Sequence, residues 1–173
     1  MTNKMYVEGY AAKFDKETVL FEYDGIEYKE KIDRNAFIEA DLRDVIFNYN
    51  HTGKVMARTR NKTLEVRTDD TGLYFRAKLG GTEEGRRLYE EIKGGYIDRM
   101  SFQFSIREDS YDNNTNTRTI MKVKRLYDVS AVDIPAYDDT SVSARDYFAS
   151  QKELEDKVKE EARRKELILK TLL

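Results

Sequence analysis

Apolar residues that alternate strictly with polar ones commit a segment to the face of a β-sheet, and this chain repeats that pattern through its middle. In Leu73-Tyr-Phe-Arg-Ala-Lys-Leu79, the side chains of Leu73, Phe75, Ala77 and Leu79 share one face while Arg76 and Lys78 take the other. Between Ile97 and Arg107, Met100, Phe102, Phe104 and Ile106 fall on one side and Ser101, Gln103 and Ser105 on the opposite one. A period of two does not build a helical face, so a sheet must form the centre of the fold. Ser101 is then held on a strand and points away from the main apolar face.

The rest of the chain supplies strands and turns for that sheet. Gly9 to Phe14 is a short strand. Val19 to Tyr23 and Ile26 to Ile32 flank Asp24-Gly25, a pair suited to a tight hairpin turn because both central positions need positive φ. Asp33 is placed to cap a short helix over Arg34 to Ala40 that carries Phe37 and Ile38 inward. Val45-Ile46-Phe47 runs into Asn48-Tyr49-Asn50-His51-Thr52-Gly53, a strand ending in a polar turn, with His51 at its mouth. Thr63 to Thr68 and Leu73 to Leu79 flank a turn at Asp69 to Gly72. Thr82 opens a helix with Glu83 and Glu84 in its first turn and Leu88 and Ile92 as its apolar stripe, and Gly94-Gly95 stops it. Tyr111 to Arg118 is a polar loop. Ile120 to Ile134 is a long returning strand, ended by Pro135, the only proline. About seven or eight strands and two short helices indicate an α+β fold built on a mixed, largely antiparallel sheet or barrel.

Composition changes after Ala144. From Gln151 to Glu166, 12 of 16 residues are charged. Leu154, Val158, Ile168 and Leu172 form only a broken seam. That pattern is a solvated helix or half of a weak coiled coil. It separates a domain over residues 1–146 from a charged helical tail over 147–173.

Charge is nearly balanced, 31 basic against 33 acidic residues, so neither nucleic acid nor an acidic membrane surface is called for as a partner. No apolar stretch approaches membrane-spanning length, and no hydrophobic signal region follows Met1. The absence of cysteine removes disulfides, thiolate nucleophiles and zinc–thiolate sites. A soluble intracellular protein is the default expectation, with no cofactor and no metal.

His51 is the only histidine, so chemistry that needs a proton acceptor near neutral pH has one side chain to use. On residues alone a lone histidine of this kind reads first as a surface loop residue. A serine hydroxyl becomes an effective nucleophile when a base takes its proton, and His51 with Ser101 could supply that pair. A carboxylate that fixes the imidazole tautomer would complete the site, and Asp128 or Asp133 could serve.

Seven short stretches occur here in a fixed order: Gly9-Tyr-Ala-Ala-Lys-Phe14, Ala36-Phe37, Asn50-His51, Asp70-Thr-Gly-Leu-Tyr-Phe75, Ile97-Asp-Arg-Met-Ser-Phe-Gln-Phe104, Leu126-Tyr-Asp-Val-Ser130 and Pro135-Ala-Tyr-Asp-Asp-Thr-Ser-Val142. Together they resemble the phage prohead (capsid maturation) proteases of the HK97 type, over roughly residues 5 to 146. The resemblance implies a serine endopeptidase with Ser101 as nucleophile, His51 as base and Asp128 as the third member. The usual third member is a glutamate, so Asp128 is a departure, one methylene shorter. Arg99 is a second departure, since the family tends to have glycine there; beside the nucleophile it could line the oxyanion or substrate site, but the solvated reading is preferred. The family is similar in turn to the herpesvirus assemblins, which implies a mostly antiparallel β-barrel flanked by short helices. It further implies oxyanion donors made of backbone N–H groups and a basic group. The implied substrates are the phage major capsid protein or a scaffold segment, and the enzyme itself, cut inside the procapsid in the bacterial host cytoplasm. A homo-oligomer is compatible with the tail. The alternative is a β-domain of the same fold that has lost catalysis and binds capsid or scaffold.

Overall fold

The structure, a computed structural model, describes residues 5–133 and 156–160. Its described strands are β1 (Tyr6–Lys13), β2 (Thr18–Tyr23), β3 (Ile26–Ile32), β4 (Ile46–Tyr49), β5 (Thr52–Arg58), β6 (Leu64–Thr68), β7 (Gly72–Lys78), β8 (Arg99–Asp112) and β9 (Thr117–Val132), and α-helix α1 (Glu83–Lys93) lies between β7 and β8. The fold is α+β and mostly strand. They form two sheets: a three-stranded antiparallel one in the order β1-β7-β6, and a six-stranded one in the order β2-β3-β9-β4-β5 with β8 added to β9.

The expected closed barrel does not form. Both sheets are open, with β1 and β6 at the edges of the first and β2, β5 and β8 at edges of the second. A strand count constrains how many ladders exist but not whether the last strand returns to the first. The largely antiparallel character holds, with two exceptions: β3 and β4 both run parallel to β9. They do so because one continuous stretch of chain lies along one edge of β9. β3 pairs with its start (Ile32↔Ile120) and β4 with its end (Asn48↔Ser130). Between them the backbone stays attached through Val123 N to Ala36 O at 2.8 Å and Leu126 N to Asp41 O at 3.1 Å. The opposite edge of β9 is filled by β8 along almost its full length.

Segment 34–40 is the second correction. It forms consecutive turns, with Ala36 N, Ile38 N and Ala40 N donating to Asp33, Asn35 and Phe37 carbonyls three residues back, and no α-helix. Asp33 bonds the Asn35 amide at 2.8 Å, an Asx turn in place of a helix cap. Phe37 is buried as expected, but Ile38 is 76% exposed. The Ala36 carbonyl, which accepts from Val123 N on β9, is not left for an amide four residues on, as a continuing helix would require.

Elsewhere local chemistry and fold agree. Asp24 and Gly25 take φ values of 54° and 74°, closing the β2–β3 hairpin as the Asp-Gly pair requires. Thr82 caps α1 by accepting from the Gly85 amide at 2.9 Å. The helix ends in a double-bonded stop, Tyr96 N to Glu91 O and Gly95 N to Ile92 O, with Gly95 at φ 75°. The core lies between the sheets. Leu73, Phe75 and Ala77 of β7 meet Phe47, Ala57, Val129 and Ala131, and the Phe47 and Phe75 rings sit 5.7 Å apart.

By internal packing the chain divides into two units, Met1–Tyr137 and Asp138–Leu173. Of the second, only 156–160 are described, and they are helical. The expected boundary at 146/147, the Pro135 to Val142 motif and the remainder of the charged tail lie outside the described residues.

Candidate active site

His51 occupies the tip of the β4–β5 hairpin. Tyr49 pairs with Thr52, so Asn50 and His51 form a two-residue turn, and both have positive φ, 50° and 56°. This turn form follows the twist of the flanking strands, but a residue with a Cβ adopts it at a cost of about 1–2 kcal/mol. Asparagine and histidine are among the side chains that tolerate it best. Two bonds anchor the turn to β9: Asn50 N donates to Ala131 O at 2.9 Å, and Asp133 N donates to the Asn50 side-chain oxygen at 3.3 Å. The turn is therefore tied to the end of β9 through the residue that precedes His51.

Asp128 owes its position to a bulge. In the β8–β9 ladder Gln103 pairs with Asp128 while Phe104 pairs with Leu126, leaving Tyr127 as an extra residue. In a regular strand Leu126 and Asp128 would share a face. The inserted Tyr127 sends Leu126 to the apolar core with Val129 and leaves Asp128 on the opposite face with Ser130. β4 runs beside them in register, so Asn48 joins Ser130 on that face while Phe47 joins Val129 in the core.

The result is a buried polar cluster. Asp128, Ser130 and Asn48 are 3%, 0% and 3% exposed. His51 Nδ1 and Asp128 Oδ1 are 2.8 Å apart. The Ser130 hydroxyl lies 3.1 Å from the same ring nitrogen, 3.1 Å from Asp128 Oδ1, and within hydrogen-bonding contact of the Asn48 side-chain oxygen. No buried side-chain polar atom among the described residues lacks a partner, as burial of polar groups demands.

Of the two candidate acids, it is Asp128 that meets the histidine. Asp133 is exposed and accepts from the Tyr49 hydroxyl at 3.2 Å. Ser101 is half-buried on β8 and pairs directly with Ser130, which places the two serines on one face of neighbouring strands. Their Cβ atoms are then about 5 Å apart, the spacing of an antiparallel pair. Ser101 itself makes no side-chain hydrogen bond among the described residues, to His51 or to any other group. Catalytic contacts are commonly long before substrate binds. Asp128 engages the Nδ1 nitrogen of the ring. Arg99 is exposed and lies 3.8 Å from its neighbour Asp98.

Two members of the cluster, Ser130 and Asn48, carry no role in a reading of the sequence. Nothing in Asn48-Tyr49-Asn50 marks its first residue as buried, because the surrounding polar residues read as a turn. For Ser130 the signal was available: it follows Asp128 by two residues on an otherwise apolar strand, and so shares its face.

No group of three or more histidine or carboxylate side chains suited to a metal ion occurs among the described residues. No described helix is long and apolar enough to cross a membrane. No curated protein and no solved structure matches the chain. A family model does. The model described as Caudovirus prohead serine protease matches residues 1–157, which include His51, Ser101 and Asp128. That family consists of serine peptidases of phage capsid maturation, acting inside the procapsid. With nine-tenths of its length matched, the chain belongs to the Caudovirus prohead serine protease family.

Proposed function

We propose that the chain is the maturation endopeptidase of a phage procapsid, that Ser101 is its nucleophile and His51 its base, and that Asp128 holds His51 in the working tautomer. The observation that carries this reading is the 2.8 Å contact between His51 Nδ1 and Asp128, made on the same sheet face as Ser101. A carboxylate on Nδ1 keeps the proton there and leaves Nε2 with its lone pair. Nε2 takes the Ser101 proton as Oγ adds to the scissile carbonyl, and Asp128 stabilises the imidazolium that forms. The imidazolium then protonates the leaving amine. Water hydrolyses the acyl-enzyme by the same base, releasing the acid and restoring Ser101.

The substrates proposed are segments of the major capsid protein or scaffold, and the chain itself. β8 has no strand partner on its outer edge among the described residues, which supports entry of an extended peptide beside Ser101 by strand addition. Residues 147–173 are proposed as a separate tail that serves association or targeting.

Labelling with a serine-directed phosphonate followed by peptide mapping tests the assignment. A single adduct on Ser101, absent from His51→Ala, is the expected result. An adduct on another serine would overturn it. No adduct and no cleavage of any capsid or scaffold protein would leave the β-domain that binds without cutting as the better reading.

A further inference from the structure

The cluster around His51 contains more polar groups than a base and its orienting acid require. Ser130 is fully buried on β9 and Asn48 nearly so on β4, and the two are register partners. At positions flanked by Phe47, Val129 and Ala131, a small apolar side chain would fit the sheet without any polar group to satisfy. Ser130 contacts both the imidazole and its acid, and Asn48 contacts Ser130.

We propose that Ser130 and Asn48 are positioning residues that, with Asp128, lock His51 in the tautomer protonated on Nδ1; the proposal rests on the reading of His51 as the base. Ser130 carries one hydroxyl proton and has three polar neighbours. When that proton goes to the Asn48 side-chain oxygen, the hydroxyl lone pairs face His51. The Nδ1–H then has two acceptors, Asp128 Oδ1 at 2.8 Å and Ser130 Oγ at 3.1 Å. The alternative tautomer would present a bare Nδ1 lone pair to a carboxylate, and no proton would lie between Nδ1 and Asp128. Asn48 acts at one remove, by choosing which way the hydroxyl points.

Ser130 cannot itself be the nucleophile. Its hydroxyl is on the Nδ1 side of the ring, and its residue has no solvent exposure through which a peptide could reach it. The pair therefore completes a four-residue support, Asn48–Ser130–Asp128–His51, beneath a nucleophile that belongs to the neighbouring strand.

A single histidine makes the test direct, since its two ring nitrogens give the only imidazole ¹⁵N resonances in the chain. At a pH where the ring is neutral, the wild-type chain is expected to show Nδ1 protonated and Nε2 bare. Ser130→Ala and Asn48→Ala are expected to mix in the other tautomer and to slow phosphonate labelling of Ser101 roughly tenfold, by analogy with the lower range for partners that orient metal-bound histidines. Ser130→Thr, which keeps the hydroxyl, should restore the wild-type spectrum. A wild-type ring protonated on Nε2 would overturn the proposal without any variant. So would folded Ser130→Ala protein that labels at the wild-type rate with an unchanged tautomer. An unlabelled wild-type chain with the expected tautomer would instead count against the protease reading alone.

Discussion

Ser101 and Ser130 face each other across the β8–β9 ladder, and it is the buried one, Ser130, whose hydroxyl lies 3.1 Å from His51. Ser130 is fully buried and Ser101 only half-buried, so access favours Ser101 as the proposed nucleophile. Ser101→Ala and His51→Ala should each abolish cleavage of the cognate capsid or scaffold protein and leave the fold intact. Members of such a pair act as a unit, so losing both should cost about what losing either does. The check is cleavage rate in the two single variants and the double. A double variant clearly worse than both singles would mean the residues act independently.

Asp128→Asn should reduce rate far more than stability, by a factor of up to about 10⁴, while Asp133→Asn should leave the rate within a few-fold of wild type. An amide at 128 can donate to Nδ1 and so favour the wrong tautomer, whereas Asp133 sits on the exposed side with Tyr49. Side-by-side kinetics with melting temperatures decide it. Greater sensitivity at 133 would show that the acid is misassigned.

The backbone beneath His51 makes a separate prediction. At φ 56° a Cβ is strained, so His51→Gly should melt at or above His51→Ala although both lose the imidazole. The relief of about 1–2 kcal/mol is partly offset by the larger unfolded-state entropy of glycine, about 0.4–1 kcal/mol. The net shift is a degree or two, read by thermal unfolding. A glycine variant melting several degrees below the alanine one would show that the turn is not under strain.

How much of this was legible in the sequence depended on whether a local rule decided the outcome. The alternation of Leu73, Phe75 and Ala77, the Asp24-Gly25 turn and the Thr82 cap each act over a few residues, and each appears where expected. β5 was invisible: it is an edge strand in which only Ala57 is buried, so it carries no apolar alternation, and Thr52-Gly53 looked like a turn. The open sheets were invisible because closure is a property of edge pairing. At the site, the contact between His51 and Asp128 could be anticipated as one of two choices. The bulge at Tyr127 could not, since one extra residue changes which face every later side chain takes without changing the composition.

Residues from about Gln151 onward should be dispensable for catalysis. With 12 of 16 residues charged across Gln151 to Glu166, the segment offers little apolar surface for packing, and Val158 is 66% exposed. A chain ending near Ser150 should keep its melting temperature and peptide cleavage while losing any association mediated by the tail. A drop on the order of 10 °C for a domain of this size would assign the segment to the core.

Glu30 offers a pH test of the opposite end of the sheet. Burial pushes its carboxyl above the ordinary range; Arg118 opposes that rise, and Asp109 adds to it. Arg118 lies 2.7 Å from Asp109 but 3.5 Å from Glu30, so its charge is spent mainly on the nearer acid. A folded-state pKa above the unfolded one means that the native protein holds the extra proton between the two values. The contribution of Glu30 to stability is therefore fully present below the unfolded carboxyl pKa, about 4.3, and is lost as pH rises through the folded value. Glu30→Gln removes that titration and keeps the shape. The melting temperature of the variant relative to wild type should thus improve as pH rises from about 4 through the folded value, and level off above it. Melting curves of both proteins across that range measure it, and a difference that is constant or falls with pH would show that Arg118 outweighs burial at this carboxyl.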